Sequence, residues 1–221
     1  MISFDKLIEN HLQRESKAKQ EGRYYPSEIG MCMRKIWYSY KQPIPIKMDM
    51  IKVFEVGNIL HAFITNVIRS EKNPHVELEA EELPFKIQMS DFWISGRIDD
   101  VMIIKENNKR VLIEVKSTSD LRYADEASEH HVLQLQLYMH AMKIYDGMVL
   151  YIEKNTLKTK SFTIPYDERI AADALNRFVQ LHRFLINNEF PKPESRLSNE
   201  KSWMCRNCEY NERCFKDTPE I

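Results

Sequence analysis

Gly96-Arg97-Ile98-Asp99 and Ile113-Glu114-Val115-Lys116 are the residues on which the reading of this chain turns. They sit in two apolar runs, FWISGRIDDVMII (92–104) and RVLIEVKS (110–117), separated by a short polar stretch. Runs of this length rich in Val and Ile, bounded by Asn and Lys, read as strands. With Asn107-Asn108 as the turn, the two form a hairpin in which Asp99 lies opposite Lys116 and diagonal to Glu114. Side chains alternate faces along a strand, so the three project from one side, while Ile98, Ile113 and Val115 point the other way into a core. Asp100 competes with Asp99, but its parity puts it on the opposite face, where it is expected to be structural or near the edge. Two carboxylates and a lysine at the end of a buried hairpin suit phosphodiester hydrolysis. Hard carboxylate oxygens bind Mg²⁺ or Mn²⁺. Such a metal polarises a phosphoryl oxygen and lowers the pKa of a bound water, and Lys116 can orient that water or offset developing charge. Glu-x-Lys alone is also what a surface ion pair looks like; the Gly-x-x-Asp on the paired strand tips the reading towards chemistry.

Outward from the hairpin, HVELEAEEL and FKIQM read as two short strands before it. MVLYIEK and SFTIPY read as two strands after it. Helices are expected over 3–20, over 27–41 with Ser27 as N-cap, over 49–70, over 125–145 and over 167–187. The prolines of QPIPIK stop the second of these. The order predicts a mixed α/β core with helical flanks. It divides into an N-terminal helical region (1–48), a core (49–187) and a tail (188–221).

Two helical features join the carboxylates. His131, Gln134 and Tyr138 are spaced to share one helix face and could form a hydrogen-bonding row along a phosphate backbone; Tyr138 in the core and Gln134 in solvent is the plainer alternative. His61, in Gly57-Asn58-Ile59-Leu60-His61, sits at an apolar helix edge, and its company with Asp99 and Glu114 makes it a candidate ligand. A second constellation is Cys205, Cys208 and Cys214 in the tail together with the remote Cys32, which accounts for all 4 cysteines. Four thiolates can complete a zinc site or hold an iron–sulfur cluster, and spacing alone does not choose. Either would tie the N-terminal helical region to the tail.

Composition sets the bounds. The 221 residues are 43% hydrophobic and 29% charged, with a formal net charge of -1. That length and apolar content support a folded core, and four cysteines do not make a disulfide scaffold. The charged N-terminus has no signal-like apolar segment, and no uninterrupted apolar stretch matches a membrane span, so a soluble, cytoplasmic protein without a membrane partner is expected. Locally the balance shifts. From Arg14 to Lys47 eight basic residues face three acidic ones, with Tyr24, Tyr25, Trp37, Tyr38 and Tyr40 among them. Basic groups interleaved with aromatics suit single-stranded DNA, with Arg34 and Lys35 as the candidate phosphate contacts; a solvated helix face with aromatics in the core is the alternative.

Taken in order, these motifs resemble the CRISPR-associated, RecB-like exonucleases of the PD-(D/E)xK nuclease superfamily, in the branch that carries an iron–sulfur cluster. The resemblance runs from about residue 24 to 215: Cys32 in SEIGMCMRKIWY, His61 in GNILH, Asp99 in GRID, Glu114 and Lys116 in EVK, Gln134 and Tyr138 as Q-x3-Y, then the three tail cysteines. It implies a restriction-endonuclease-like core. It also implies a divalent metal held by His61, Asp99, Glu114 and the Val115 carbonyl, with Lys116 assisting the nucleophilic water and Gln134 and Tyr138 shaping the DNA site. Cys32, Cys205, Cys208 and Cys214 would ligate a cluster, more often four-iron than two-iron in the family. Met33 stands where the family commonly has proline, which concerns loop shape rather than ligation. The implied activity is a metal-dependent exonuclease on single-stranded DNA ends, trimming DNA before spacer capture with CRISPR integrase partners, or a related phage or viral role. Two other readings stay open: a non-catalytic nucleic-acid-binding module stabilised by zinc, and a sequence-specific restriction-type endonuclease.

Overall fold

The hairpin that organises the fold is built by β3 (Trp93–Ile104) and β4 (Lys109–Thr118), antiparallel. The structure, a computed structural model, describes residues 2–13 and 18–218. The strands pair Asp100 with Ile113 and Ile104 with Lys109, leaving 105–108 as the turn. This register differs by two residues from that of a two-residue Asn107-Asn108 turn. Asp99 therefore falls level with Glu114 rather than Lys116. A slip of two keeps side-chain parity, so the face shared by the acidic residues survives.

Around the hairpin the sheet runs β1-β3-β4-β5-β6, with β2 on the other flank of β3. β1 (Arg23–Tyr24) lies parallel to the start of β3. β5 (Asp146–Glu153) is parallel to β4 and forms a hairpin with β6 (Thr159–Pro165). The two short strands expected before β3 are one, β2 (Val76–Gln88), with a register shift between Leu78 and Ala80. Pro84 is tolerated there because β2 is an edge strand.

Helices cover both faces. α3 (Met48–Arg69) buries Leu60, Ile64 and Ile68 against Met102, Val111, Ile113 and Val115. It is the one helix among the described residues long and apolar enough to cross a membrane; here Leu60, Ile64 and Ile68 lie on the sheet, while Val56, Ile59, Phe63 and Val67 stay exposed. On the opposite face α4 (Glu129–Met142), the crossover between parallel β4 and β5, packs Leu135, Tyr138 and Met139 against Val101, Leu112 and Val149. Ile98 joins this second cluster, not that of Ile113 and Val115. The expected common inward face of Ile98, Ile113 and Val115 is thus corrected: β3 and β4 stop pairing beyond Asp100, and β3 ceases to follow the alternation of β4.

The N-terminal region departs most from expectation. α1 spans only Phe4–Leu12, and the expected helix beyond it runs partly outside the described residues. Ser27 belongs to a 3₁₀ turn (Pro26–Glu28) rather than capping a helix, and α2 (Met33–Lys41) begins after Cys32. Gly30 explains the interruption: a Cβ there would stand 1.9 Å from His130 Cβ and 2.5 Å from His130 Cα, so the chain before Cys32 crosses the start of α4 in backbone contact. Gly30→Ala has no flexible neighbour to displace. It is expected to cost about 3 kcal/mol or more, read as a lowered urea midpoint at unchanged m-value. Tyr24, Trp37, Tyr38 and Tyr40 are buried with Phe92, just before β3, and with Phe178 and Leu181 of α5 (Glu168–Ile186). They are core residues, which corrects the expectation that they stack on DNA. The tail folds into three short helices, α6 (Glu194–Leu197), α7 (Trp203–Arg206) and α8 (Asn211–Asp217), and Tyr210 stacks on Tyr38 with ring centroids 5.1 Å apart.

Candidate active site

The carboxylates meet where β3 and β4 part. Beyond Asp100 and Ile113 the ladder is replaced by a side-chain bond: the Val115 N–H donates to Asp99 Oδ2 at 2.8 Å. The other oxygen, Oδ1, faces His61 Nδ1 of α3 at 3.6 Å. Glu114 is 1% exposed. Its Oε1 pairs with Lys116 Nζ, and its Oε2 is buried with no hydrogen-bond partner among the described residues. A buried carboxylate oxygen without a donor is costly unless something cationic completes it.

Two elements outside the expected set support this centre. Thr65 Oγ1 lies 2.8 Å from Asp100 Oδ1 and 3.1 Å from the His61 carbonyl, tying the turn of α3 that bears His61 to the strand that bears Asp99. Asp100 is thus the buried structural acid its parity implied. Tyr151, beside Lys116 in the β4–β5 register, takes the Ser128 N–H at 3.0 Å and pairs with His131 Nδ1 at 2.8 Å. A tyrosine in a predicted strand gives no hint of that role in sequence.

Electrostatics express crowding of negative charge. Burial, then the Asp99 charge, pushes Glu114 up to about 7 against the pull of Lys116. Burial pushes Asp100 up to about 6, with the Thr65 hydrogen bond opposing. Burial works against the His61 imidazolium, but Asp99 outweighs it and the net direction is upward. Burial likewise opposes the Lys116 charge, and Glu114 reverses it. Glu114, Asp100 and His61 therefore bind protons more tightly folded than unfolded. Their stabilisation is present below the unfolded pKa values and is lost as pH rises through the folded ones. Without divalent metal, stability should therefore fall between about pH 4 and about pH 7, and Asp100→Asn should flatten that slope. Urea unfolding in a chelator at several pH values measures it.

The sequence-predicted residues are brought together unevenly. His61, Asp99, Glu114 and Lys116 converge. Gln134 and Tyr138 are both buried, and Gln134 Nε2 donates to Tyr138 Oη at 2.6 Å. Tyr138 packs edge-on against Phe85 (5.1 Å between centroids), and burial raises its hydroxyl pKa, with the Glu114 charge adding to the rise. Arg34 is buried; its Nε donates to the Pro191 carbonyl at 2.6 Å, its Nη1 to Thr218 Oγ1 at 3.0 Å, and it stacks on Phe190. It pins the tail, which corrects its expected role as a phosphate contact. Lys35 pairs with Glu209 at 2.8 Å and stays part-exposed.

The four cysteines form a second locus. None is in a disulfide, and all four line one largely apolar cavity of about 230 Å³ between α2 and the tail. Arg177 of α5 braces it: its guanidinium bonds the Ile29 and Met31 carbonyls, each at 2.9 Å, and pairs with Glu194, which caps the Met33 N–H at 2.7 Å. Among the described residues no group of three or more His, Cys, Asp or Glu side chains is already closed around a metal position, neither at the cysteines nor at Asp99, Glu114 and His61.

Residues 6–215 match the PD-(D/E)XK nuclease superfamily. The chain belongs to this superfamily. The mixed sheet flanked by α3 and α4 is thus a PD-(D/E)XK nuclease fold. The chain is 27% identical over 178 residues to the CRISPR-associated exonuclease Cas4 of Saccharolobus solfataricus, covering 77% of this chain and 83% of that protein. Among solved structures, SSO0001 superposes with a TM-score of 0.61 at 24% identity, covering 95% of this chain and 93% of that one. An alkaline exonuclease from Laribacter hongkongensis gives 0.50 at 13% identity, over 80% of this chain and 96% of the other. A phage-related exonuclease from Haemophilus somnus gives 0.52 at 11%, also over 80% and 96%. These superpositions establish a shared fold.

Proposed function

We propose that this PD-(D/E)XK nuclease is a divalent-metal-dependent DNA exonuclease acting on single-stranded ends, in which Asp99, Glu114 and Lys116 carry the chemistry. The observation that carries this reading is the partnerless Glu114 Oε2, buried beside Asp99 and His61. The donor set fits Mg²⁺ or Mn²⁺: hard oxygens, one imidazole and excess negative charge. Asp99, Glu114 and His61 would hold the ion, with the Val115 carbonyl as the further ligand the family resemblance implies. When bound, a divalent ion supplies Lewis acidity towards a phosphoryl oxygen and a more acidic water. Lys116, held charged by Glu114, orients the attacking water and offsets charge on the phosphate. Thr65 and Asp100 fix the spacing between His61 and Asp99. Gln134 and Tyr138 brace the wall behind Glu114 and shape the DNA site.

The cysteines are assigned to an iron–sulfur cluster. The four line one shared cavity, and the family resemblance supports an iron–sulfur cluster there over a zinc ion. The similarity to Cas4 supports a place in CRISPR spacer acquisition beside integrase proteins. Purified protein with Mn²⁺ or Mg²⁺ should release nucleotides from end-labelled single strands, and chelation should stop it. Defined internal fragments would instead indicate a restriction-type endonuclease.

A further inference from the structure

We propose that the first two turns of α3 form a base-binding face of the active site, on which Met50, Val53 and Phe54 receive the bases of the strand being cut. This rests on the nuclease reading above. At 3.6 residues per turn, positions seven apart share a helix face. Phe54 and His61 therefore lie in one row, with Met50, Val53 and Gly57 beside it, and Lys47 caps the start of the helix. Further along, the same side of α3 is core: Leu60, Ile64 and Ile68 are buried on the sheet. Towards the N-terminus the apolar pattern continues but the sheet ends, and Met50, Val53 and Phe54 are 46%, 44% and 52% exposed. Gly57 marks the crossing point. A Cβ there would lie 3.7 Å from Ser117 Oγ, the residue after Lys116. The exposed segment thus projects past the catalytic end of β4. α1 does not cover it, because the Glu9–Lys52 pair (2.8 Å) anchors α1 on the opposite side of α3 from His61.

A nucleobase is the occupant this face fits. The face is continuous with His61, so a strand whose phosphodiester lies at Asp99 and Glu114 must run past it. Phe54 is about 10 Å along the axis from His61, a reach of a few nucleotides. An exposed aromatic two turns from a lysine at the helix start is the pairing that holds single strands: stacking for the base and a cation for the phosphate.

The test uses the full chain and single strands carrying 2-aminopurine at each of the terminal positions, with Ca²⁺ for binding and Mn²⁺ for cleavage. In wild type, fluorescence should be quenched at one or two positions. Phe54→Ala should abolish the quench and raise KM for single strands roughly 5- to 100-fold. Its hydrolysis of bis(p-nitrophenyl) phosphate, a phosphodiester with no base, should be unchanged. Phe54→Trp should restore both quench and KM. Intact DNA cleavage with unchanged KM and quench in Phe54→Ala and Met50→Ala overturns the proposal. So does a wild-type dimer that Phe54→Ala converts to monomer with no change in KM, which would assign the face to a second copy. If wild type cleaves neither DNA nor the model diester, the nuclease reading fails. The quench then decides the binding face on its own.

Discussion

Glu114→Ala and Lys116→Ala protein will fold and bind DNA, yet cleave it at least about 10³-fold more slowly than wild type in Mn²⁺. The two losses have different origins. Without Glu114 the ion loses a ligand and Lys116 is left at a site where burial disfavours its charge. Mn²⁺ affinity should fall along with rate. Without Lys116 the ligands remain, and Glu114 loses the cation that opposes its raised pKa. Metal binding should persist, shifted to higher pH, while kcat collapses. Parallel Mn²⁺ titrations and single-turnover cleavage separate the two. Two variants that lose rate together with no difference in metal affinity would argue that the Glu114–Lys116 pair is only a buried ion pair.

Replacing Cys32 or Cys208 by Ser will bleach the protein and loosen both ends of the chain. Cys32 precedes α2, whereas the other three lie in the tail, so the proposed shared cofactor would close a loop of roughly 170 residues. Chain-entropy reasoning for a cross-link of that span gives on the order of 5 kcal/mol, which for this size corresponds to roughly 10–20 °C in Tm. Anaerobically purified wild type should be brown and the serine variants colourless, with early exchange of backbone amides in α2 and α8. A colourless wild type with stoichiometric zinc would overturn the cluster and favour a zinc-held frame.

Much of this centre is legible in the sequence, and the reasons are physical. A strand's period of two makes face-sharing robust. A two-residue turn at Asn107-Asn108 misplaces the hairpin register by two residues, yet Asp99, Glu114 and Lys116 still share a face. The same parity sets Asp100 on the other face, where it is tied to Thr65. What parity cannot foresee is the end of pairing. Once β3 and β4 part at Asp99, Ile98 packs with the α4 cluster instead of with Ile113. Charge patterning misleads where tertiary contacts decide. Arg34 reads as a surface cation, but its donors are taken by the Pro191 carbonyl and Thr218, contacts made across more than 150 residues of chain. The aromatics around it suit stacking on bases and filling a core equally well, and burial of Tyr24, Trp37, Tyr38 and Tyr40 decides for the core. Tyr151 and Thr65 carry no local signal, since their roles exist only once α3, α4 and the sheet are assembled. The Gly30 crossing is hidden for the same reason, although the helix break before Cys32 depends on it.

A metal-dependent site that consumes single-stranded DNA from its ends distinguishes linear from circular substrates. It is tested most directly by incubating wild-type protein and Mn²⁺ with equal amounts of linear and covalently circular single-stranded DNA of one sequence. The linear strand should be degraded progressively to nucleotides while the circle persists, and both should persist in chelator. Survival of both strands in Mn²⁺, or cutting of the circle as fast as the linear strand, would contradict it.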